Sequence, residues 1–244
     1  MIQGPGMILA IGLALVHAFL ARLNISKLIP EFRWISFAGG VSIGYVFVEI
    51  VPELSHAQEE LEHSAIPFVA YLENHVYILA MLGLLLFYGL DVLAFKSKVK
   101  NQKNNIKDES DALVFWTQII AFTIINGIFG YLLQDLENHS LLMCILFFLT
   151  VSLHFFIIDH HLREHHPISY DKQVRWIFTA AIMVGAIAGR SLHLNEAALS
   201  IVWSFLAGSL IFNILKHELP DEQESCFGSF TTGAGLYTTL LLLS

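Results

Sequence analysis

The chain has 244 residues and a formal net charge of −8, and 55% of its residues are hydrophobic against 14% charged. This composition excludes an ordinary soluble domain, and an acidic chain without a basic stripe gives no sign of nucleic-acid binding. Eight apolar stretches follow one another, each of about the 20 residues that a membrane-spanning helix needs. They cover about 7–29, 34–54, 72–95, 112–134, 140–160, 174–192, 196–217 and 226–243. We therefore predict an all-α integral membrane protein of eight transmembrane helices, a single transmembrane domain over residues 1–244.

The basic residues predict the orientation of these helices. Twelve of the 13 Lys and Arg residues lie in or beside the loops 1–2, 3–4 and 5–6 or at the end of helix 7, and Arg190 is the exception. Loops rich in Lys and Arg stay on the cytoplasmic side. The lysine-rich loop 96–111 is then cytoplasmic and both termini lie outside. We expect a multi-pass protein of the plasma membrane, with the lipid bilayer as its partner.

Two segments of the chain, 37–54 and 205–222, align without a gap. The matched pairs include Phe37 with Phe205, Gly40 with Gly208, Pro52 with Pro220 and Glu53 with Asp221. Because helix 2 runs outward and helix 7 runs inward, the repeat is inverted, an organisation typical of secondary transporters. This predicts a first repeat over 1–95, helices 4 and 5 over 112–160, and a second repeat over 174–244.

At these motifs the chain resembles the zinc/iron-regulated (ZIP) family of divalent-metal transporters. AGGVSIGYVFVEIVPEL in helix 2 and FLAGSLIFNILKHELPDE in helix 7 both look like the family's small-residue helix that ends in an acid, a proline and an acid. The resemblance implies two three-helix repeats, helices 1–3 and 6–8, around helices 4 and 5. It also implies transport of a divalent cation towards the cytoplasm by alternating access. Zinc is the first choice, with no other cofactor.

Helices 4 and 5 carry only part of the family's metal motifs. Members have His-Asn-x-x-Asp/Glu-Gly in helix 4 and His-Glu-x-x-His-Glu in helix 5. This chain keeps a glycine and puts Asn126 at the acid position in helix 4, and it keeps His154 and Asp159 in helix 5. The resemblance implies that these three residues line a metal site. His154 and Asp159 are about 140° apart on an ideal helix, which favours a weak metal or proton site over a two-metal centre.

The repeat adds predicted ligands at the two mouths of a cation path. Glu49 and Glu53 lie at the outer mouth, and His217 and Glu218 lie at the inner mouth together with Asp221. Ionisable groups at these depths are costly and indicate function. Three of the predicted ligands also have a structural interpretation. His154 and Asn126 fit hydrogen bonds between helices, and Asp159 fits a solvated helix end.

Three further features stay open at this stage. Lys216 fits either snorkelling to the surface or an ammonium that stands in for a metal cation beside a carboxylate. The cluster 160–166 places four imidazoles and a carboxylate on the cytoplasmic side, which could catch an exiting cation or form a solvated loop. His17 stands alone on helix 1, where we expect an interhelical hydrogen bond.

The sequence thus predicts ZIP-like transport of a divalent metal and no enzymatic activity. One alternative is a ZIP-fold membrane protein that moves no metal and acts as a sensor, a regulator or a carrier of another solute. Another is an intramembrane zinc hydrolase that uses His154, Asp159, His160 and His217. A metal ion is the expected partner, nucleic acid is not, and a homodimer is compatible with the sequence.

Overall fold

A computed structural model describes residues 5–19, 30–62, 76–103, 112–133, 141–192, 194–219 and 225–243, and all regular structure in these ranges is helical. We number the helices in chain order. The first four are α1 (Pro5–Phe19), α2 (Glu31–Tyr45, Val46–Ile50 and Val51–Glu62), α3 (Val76–Lys103) and α4 (Ala112–Leu132). The others are α5 (Leu141–His165), α6 (Pro167–Ser169, Tyr170–Val174 and Arg175–Ser191), α7 (Glu196–Asn213 and Ile214–Glu218) and α8 (Phe227–Leu242). Asp221 and residues 104–111 of the predicted basic loop lie outside the described residues.

Six of the described helices are long and apolar enough to cross a membrane. They are Phe32–Glu59, Val76–Lys103, Ala112–Leu132, Leu141–His165, Pro167–Ser191 and Glu196–Glu218. The two others have 15 residues in α1, which is apolar, and 16 in α8. Large apolar side chains such as Leu149 and Val184 are exposed on the outside of the bundle, as contact with lipid requires. The chain therefore has the architecture of an all-α, multi-pass membrane protein.

Several helices extend beyond the apolar stretches that predicted them. The predicted helix 72–95 continues to Lys103 in α3, and the predicted helix 140–160 continues to His165 in α5. An apolar run marks only the part of a helix that lies in the bilayer, whereas backbone hydrogen bonds continue through polar residues with good helix propensity, such as lysine. The polar ends of α3 and α5 therefore belong to the helices and not to the loops.

Three close helix contacts among the described residues depend on glycine: α4 with α6, α2 with α8, and α3 with α7. A Cβ atom on Gly40 of α2 would overlap the backbone of Phe230 on α8, and one on Gly233 would overlap the backbone of Phe37. The contact of α3 with α7 is built in the same way. There a Cβ atom on Gly83 would overlap Phe205, and one on Gly208 would overlap Ala80. Glycine allows these backbones to touch, as small residues do in membrane helix pairs.

In the described parts of the chain, three helices contain a five-residue π-helical turn, at Val46–Ile50 in α2, Tyr170–Val174 in α6 and Ile214–Glu218 in α7. A π-turn widens a helix and rotates the residues that follow, and such turns are frequent at functional sites. In α2 the turn comes just before Pro52, which has no N–H to donate within the helix. In α7 the turn ends the helix.

Candidate functional site

The centre of the candidate site is the carboxylate of Glu218, which is fully buried. Nδ1 of His154 on α5 is hydrogen-bonded to its Oε1, and the hydroxyl of Ser42 on α2 donates to its Oε2. His154 and Ser42 are buried as well. Three helices, α2, α5 and α7, therefore meet at one carboxylate. The structure brings together two of the predicted ligands, His154 and Glu218.

The local sequence explains why α7 ends at this carboxylate. A residue that precedes a proline is pushed towards extended backbone. Leu219 precedes Pro220 in the sequence and has φ −74° and ψ 123°, so the helix cannot continue past Glu218. The last carbonyl groups of a helix have no partner within it and carry a partial negative charge. Glu218 thus adds a carboxylate to a helix end that is already electronegative.

This arrangement favours a cation. Burying an ionised carboxylate costs several kcal/mol or more unless a positive charge compensates it. Lys216, two residues earlier, does not supply that charge, because its Nζ lies 4.0 Å from Oδ2 of Asp91. His154 is the ion-pair partner of Glu218 among the described residues. The contact between Nδ1 and Oε1 needs one hydrogen, and a metal cation bound to both atoms would take the place of that hydrogen.

A second buried polar network surrounds His17 of α1. Its Nδ1 lies 2.7 Å from Oδ2 of Asp159 on α5, and its Nε2 lies 2.8 Å from Oδ1 of Asn126 on α4. The Asn126 amide donates its Nδ2–H to the carbonyl oxygen of Phe122 at 2.8 Å, which keeps Oδ1 directed at the ring. Both imidazole nitrogens therefore face acceptors, and one proton must be shared between His17 and Asp159. The expectation that His17 makes an interhelical hydrogen bond is confirmed.

The predicted ligands on helices 4 and 5 thus divide between two networks. Asn126 and Asp159 contact His17, whereas His154 contacts Glu218. Asp159 is fully buried and is not at a solvated helix end, because α5 continues six residues further to His165. Sequence reasoning missed His17 as the group that joins Asn126 and Asp159. Its position is 142 residues from Asp159 along the chain, and no local pattern relates the two.

The two predicted acids of the outer mouth, Glu49 and Glu53, lie further along α2. Glu49 is half-buried and Glu53 is exposed. A small cavity of about 10 Å³ lies beside His154 and is lined by residues that include Tyr45 and Phe129. Such a volume holds about one water molecule.

A larger cavity, of about 630 Å³, lies at the opposite end of the bundle. It is lined by the C-terminal parts of α3, α5 and α7 and the first half of α4, including Asp91, Asn213 and His217. Nε2 of His217 lies 3.8 Å from Oδ1 of Asp91. Asp91 therefore faces both His217 and the ammonium of Lys216, a pairing that no repeat or motif indicated. Lys216 is 56% exposed, so it combines snorkelling with neutralising a carboxylate.

The four residues of the hydrolase alternative have separate surroundings. His154 contacts Glu218, Asp159 contacts His17, His160 packs against Trp34, and His217 faces Asp91. Among the described residues, the groups of three or more closely spaced ligand atoms do not include this set. The residues predicted for a hydrolytic zinc centre do not converge in this conformation.

Comparison with protein-family models, with curated proteins and with solved structures finds no match. The class that the fold defines is therefore the all-α, multi-pass membrane protein, built around two buried histidine–carboxylate pairs.

Proposed function

We propose that this protein is a ZIP-like transporter that carries a divalent metal cation across the plasma membrane towards the cytoplasm. The observation that carries the proposal is the buried Glu218 carboxylate at the end of α7, contacted by His154 and Ser42. A carboxylate in that position needs a cation, and imidazole with carboxylate is a ligand set that zinc and similar ions accept. Zinc, iron, manganese and cobalt are the candidate substrates.

The π-turns of α2 and α7 support an inverted repeat. The two segments 37–54 and 205–222 are related by an offset of 168 residues, since 37 + 168 = 205. The same offset relates the two π-turns, because 46 + 168 = 214 and 50 + 168 = 218. A distortion that recurs at corresponding positions of two helices is expected if the helices share an ancestral structure.

The glycine contacts support the same repeat and extend it to α3 and α8. Contact of α2 with α8 and contact of α3 with α7 exchange when the first repeat is superposed on the second. Gly40 corresponds to Gly208 by the offset of 168, and their partners Phe230 and Ala80 differ by 150. Gly233 and Gly83 also differ by 150, and their partners Phe37 and Phe205 again differ by 168. We propose that helices 1–3 and 6–8 form this repeat around α4 and α5.

The two cavities suggest how alternating access operates. The cavity between His154 and Tyr45 is about 10 Å³, whereas the large cavity of about 630 Å³ is lined by Asn213 and His217, which are five residues and one residue before Glu218. This conformation corresponds to a transporter that faces the basic end of the bundle, which we assign to the cytoplasm. Rocking of the repeats against α4 and α5 would close this cavity and connect Glu218 with Glu49 and Glu53.

Metal binding at Glu218 should displace the hydrogen that lies between His154 and Glu218. The hydrogen between Nδ1 of His154 and Oε1 of Glu218 occupies the place where a cation would take both atoms as ligands. Metal ions require deprotonated ligands, so a metal that enters displaces this hydrogen. His154, Glu218 and Ser42 offer three ligand groups, and a tetrahedral ion has four positions. Water would fill the remaining position, which predicts weak and broad selectivity among divalent metals.

The test of the proposal is metal uptake by the purified protein in lipid vesicles. We expect zinc, or another of the four candidate ions, to accumulate faster than in protein-free vesicles when a pH or a voltage gradient is applied. If none of the four ions moves under either gradient, the transporter proposal fails. The chain would then be a ZIP-fold membrane protein without metal transport.

The orientation has its own test. In a background in which Cys144 and Cys226 are replaced by serine, single cysteines are introduced by Glu60→Cys and Lys103→Cys. The 12:1 distribution of basic residues places position 60 outside and position 103 inside. A membrane-impermeant thiol reagent added to intact cells should therefore label only the first variant. Labelling of both positions from the same side would contradict the proposed topology.

A further inference from the structure

The C-terminal end of α5 carries a cluster of ligand groups away from Glu218. His161, Glu164 and His165 each place one ligand atom within 4.8 Å of the others. Their positions i, i+3 and i+4 lie on one face of a helix. Among the described residues they are the single group of at least three histidine, cysteine or acidic side chains with this spacing. All three side chains are exposed at the mouth of the large cavity or beside it.

The hydrogen bond of His165 favours metal binding through its Nε2 atom. Its Nδ1 donates to the carbonyl oxygen of His161 at 3.1 Å. When Nδ1 carries the hydrogen, Nε2 is left with a lone pair, and metal-bound histidines commonly donate their other N–H to a backbone carbonyl in this way. This hydrogen bond is an observation independent of the clustering of the three side chains.

The spacing of the imidazoles also suits one metal ion. Two imidazoles on a tetrahedral zinc ion, with Zn–N bonds of about 2.0 Å, have ring centroids about 5 Å apart. The rings of His161 and His165 are 4.4 Å apart, and the ring of His217 on α7 lies 5.4 Å from that of His161. Two histidines at i and i+4 on one helix face are a common zinc-binding pair.

We propose that His161, Glu164 and His165 bind one divalent cation of the zinc class at the mouth of this cavity, with water in the fourth position on the side of His217. Two neutral imidazoles and a carboxylate form the ligand set of many zinc sites that keep an open position. Because the three groups are exposed, the ion exchanges directly with the solution at this end of the bundle. The site stands without the proposed transport, since binding here needs neither the repeat nor Glu218.

The inner face of α7 links this site to Glu218. Asn213 and His217 are one helical turn apart and both line the cavity. Nδ2 of Asn213 donates to the carbonyl oxygen of Ser209 at 2.8 Å, while its buried Oδ1 has no hydrogen-bond partner among the described residues. An acceptor is therefore available in the wall of the cavity that His217 also lines. If the transport proposal holds, an ion that leaves Glu218 passes Asn213 and His217 before it reaches His161.

The test measures cobalt binding by the full-length protein in detergent, in a Glu218→Gln background that removes the central site. Tetrahedral Co²⁺ with nitrogen and oxygen ligands has a visible absorption band. We expect about one Co²⁺ per chain in this background. Adding His161→Ala and His165→Ala should remove the band and weaken binding by at least about ten-fold. The matched control is His56→Ala, an exposed histidine on α2.

The outcomes separate this proposal from the proposed function. Unchanged cobalt binding after the double replacement overturns the His161 site, as does an equal loss in the His56→Ala control. A Glu164→Gln variant should weaken binding and alter the absorption band, and an unaltered band removes Glu164 from the ligand set. Vesicles that take up no metal, containing protein that still binds cobalt through His161 and His165, would reject transport and leave this site intact.

Discussion

Replacing Glu218 by glutamine is expected to reduce divalent-metal uptake into vesicles by about a hundred-fold. The glutamine side chain has nearly the same size, so the contacts of α7 with α2 and α5 are largely retained. The charge is lost, and with it the attraction for a cation at a fully buried place. A charge-assisted contact of this kind is worth about 1.5–3 kcal/mol, and 2.7 kcal/mol corresponds to about a hundred-fold.

The matched control for this experiment is Glu196→Gln. Glu196 is the first residue of α7 and is exposed at the opposite end of the same helix from Glu218. Its replacement makes the same chemical change without altering the buried site, so uptake should stay close to that of the unmodified protein. Wild-type uptake by the Glu218→Gln variant would show that the cation does not pass this carboxylate, and the proposed path would have to be abandoned.

The membrane architecture could be predicted from the sequence because apolar length alone encodes it. Each of the eight predicted stretches overlaps a described helix, and six of those helices are long and apolar enough to span a bilayer. The helix ends could not be predicted in the same way. The number of consecutive apolar residues does not indicate that α3 continues to Lys103 or that α5 continues to His165. The last turns of both helices consist largely of polar residues.

The sequence predicted which residues belong to the candidate site, but it did not predict which of them contact one another. His154 and Glu218 were both expected to be ligands, yet they are 64 residues apart and no spacing rule joins them. The repeat aligned His217, not Glu218, with Glu49, and the structure directs His217 to Asp91.

The network around His17 shows a second limit of prediction from the sequence. A histidine within an apolar helix indicates that a polar partner exists, and the sequence supports no more than that. The partners Asp159 and Asn126 come from two other helices, brought together by packing. Partial family motifs had placed those two residues with His154, and that placement depended on the resemblance alone. Pairings across helices depend on rotation and depth, which are set by the whole bundle.

The replacement Gly208→Ala is expected to lower the stability of the folded protein strongly. The added Cβ atom would overlap the carbonyl group of Ala80, and a backbone group cannot rotate away as a side chain can. The helices α3 and α7 must then move apart, and Glu218 lies on the second of them. Overpacking costs about 1–3 kcal/mol where side chains can adjust, and we expect at least the upper part of that range here. Thermal unfolding in detergent, followed by tryptophan fluorescence, measures the change.

Gly89→Ala on α3 is the matched control, because a Cβ atom there has open space around it. Alanine is a better helix former than glycine by about 1 kcal/mol, so this variant should be at least as stable as the unmodified protein.

The inverted repeat adds a sharper expectation. Gly40→Ala meets the backbone of Phe230 as Gly208→Ala meets that of Ala80, so the two variants should be destabilised by similar amounts. If Gly208→Ala unfolds at the same temperature as Gly89→Ala, the close contact of α3 with α7 is wrong. If Gly40→Ala is harmless while Gly208→Ala is not, the two repeats do not pack alike, and the structural argument for the inverted repeat loses its main support.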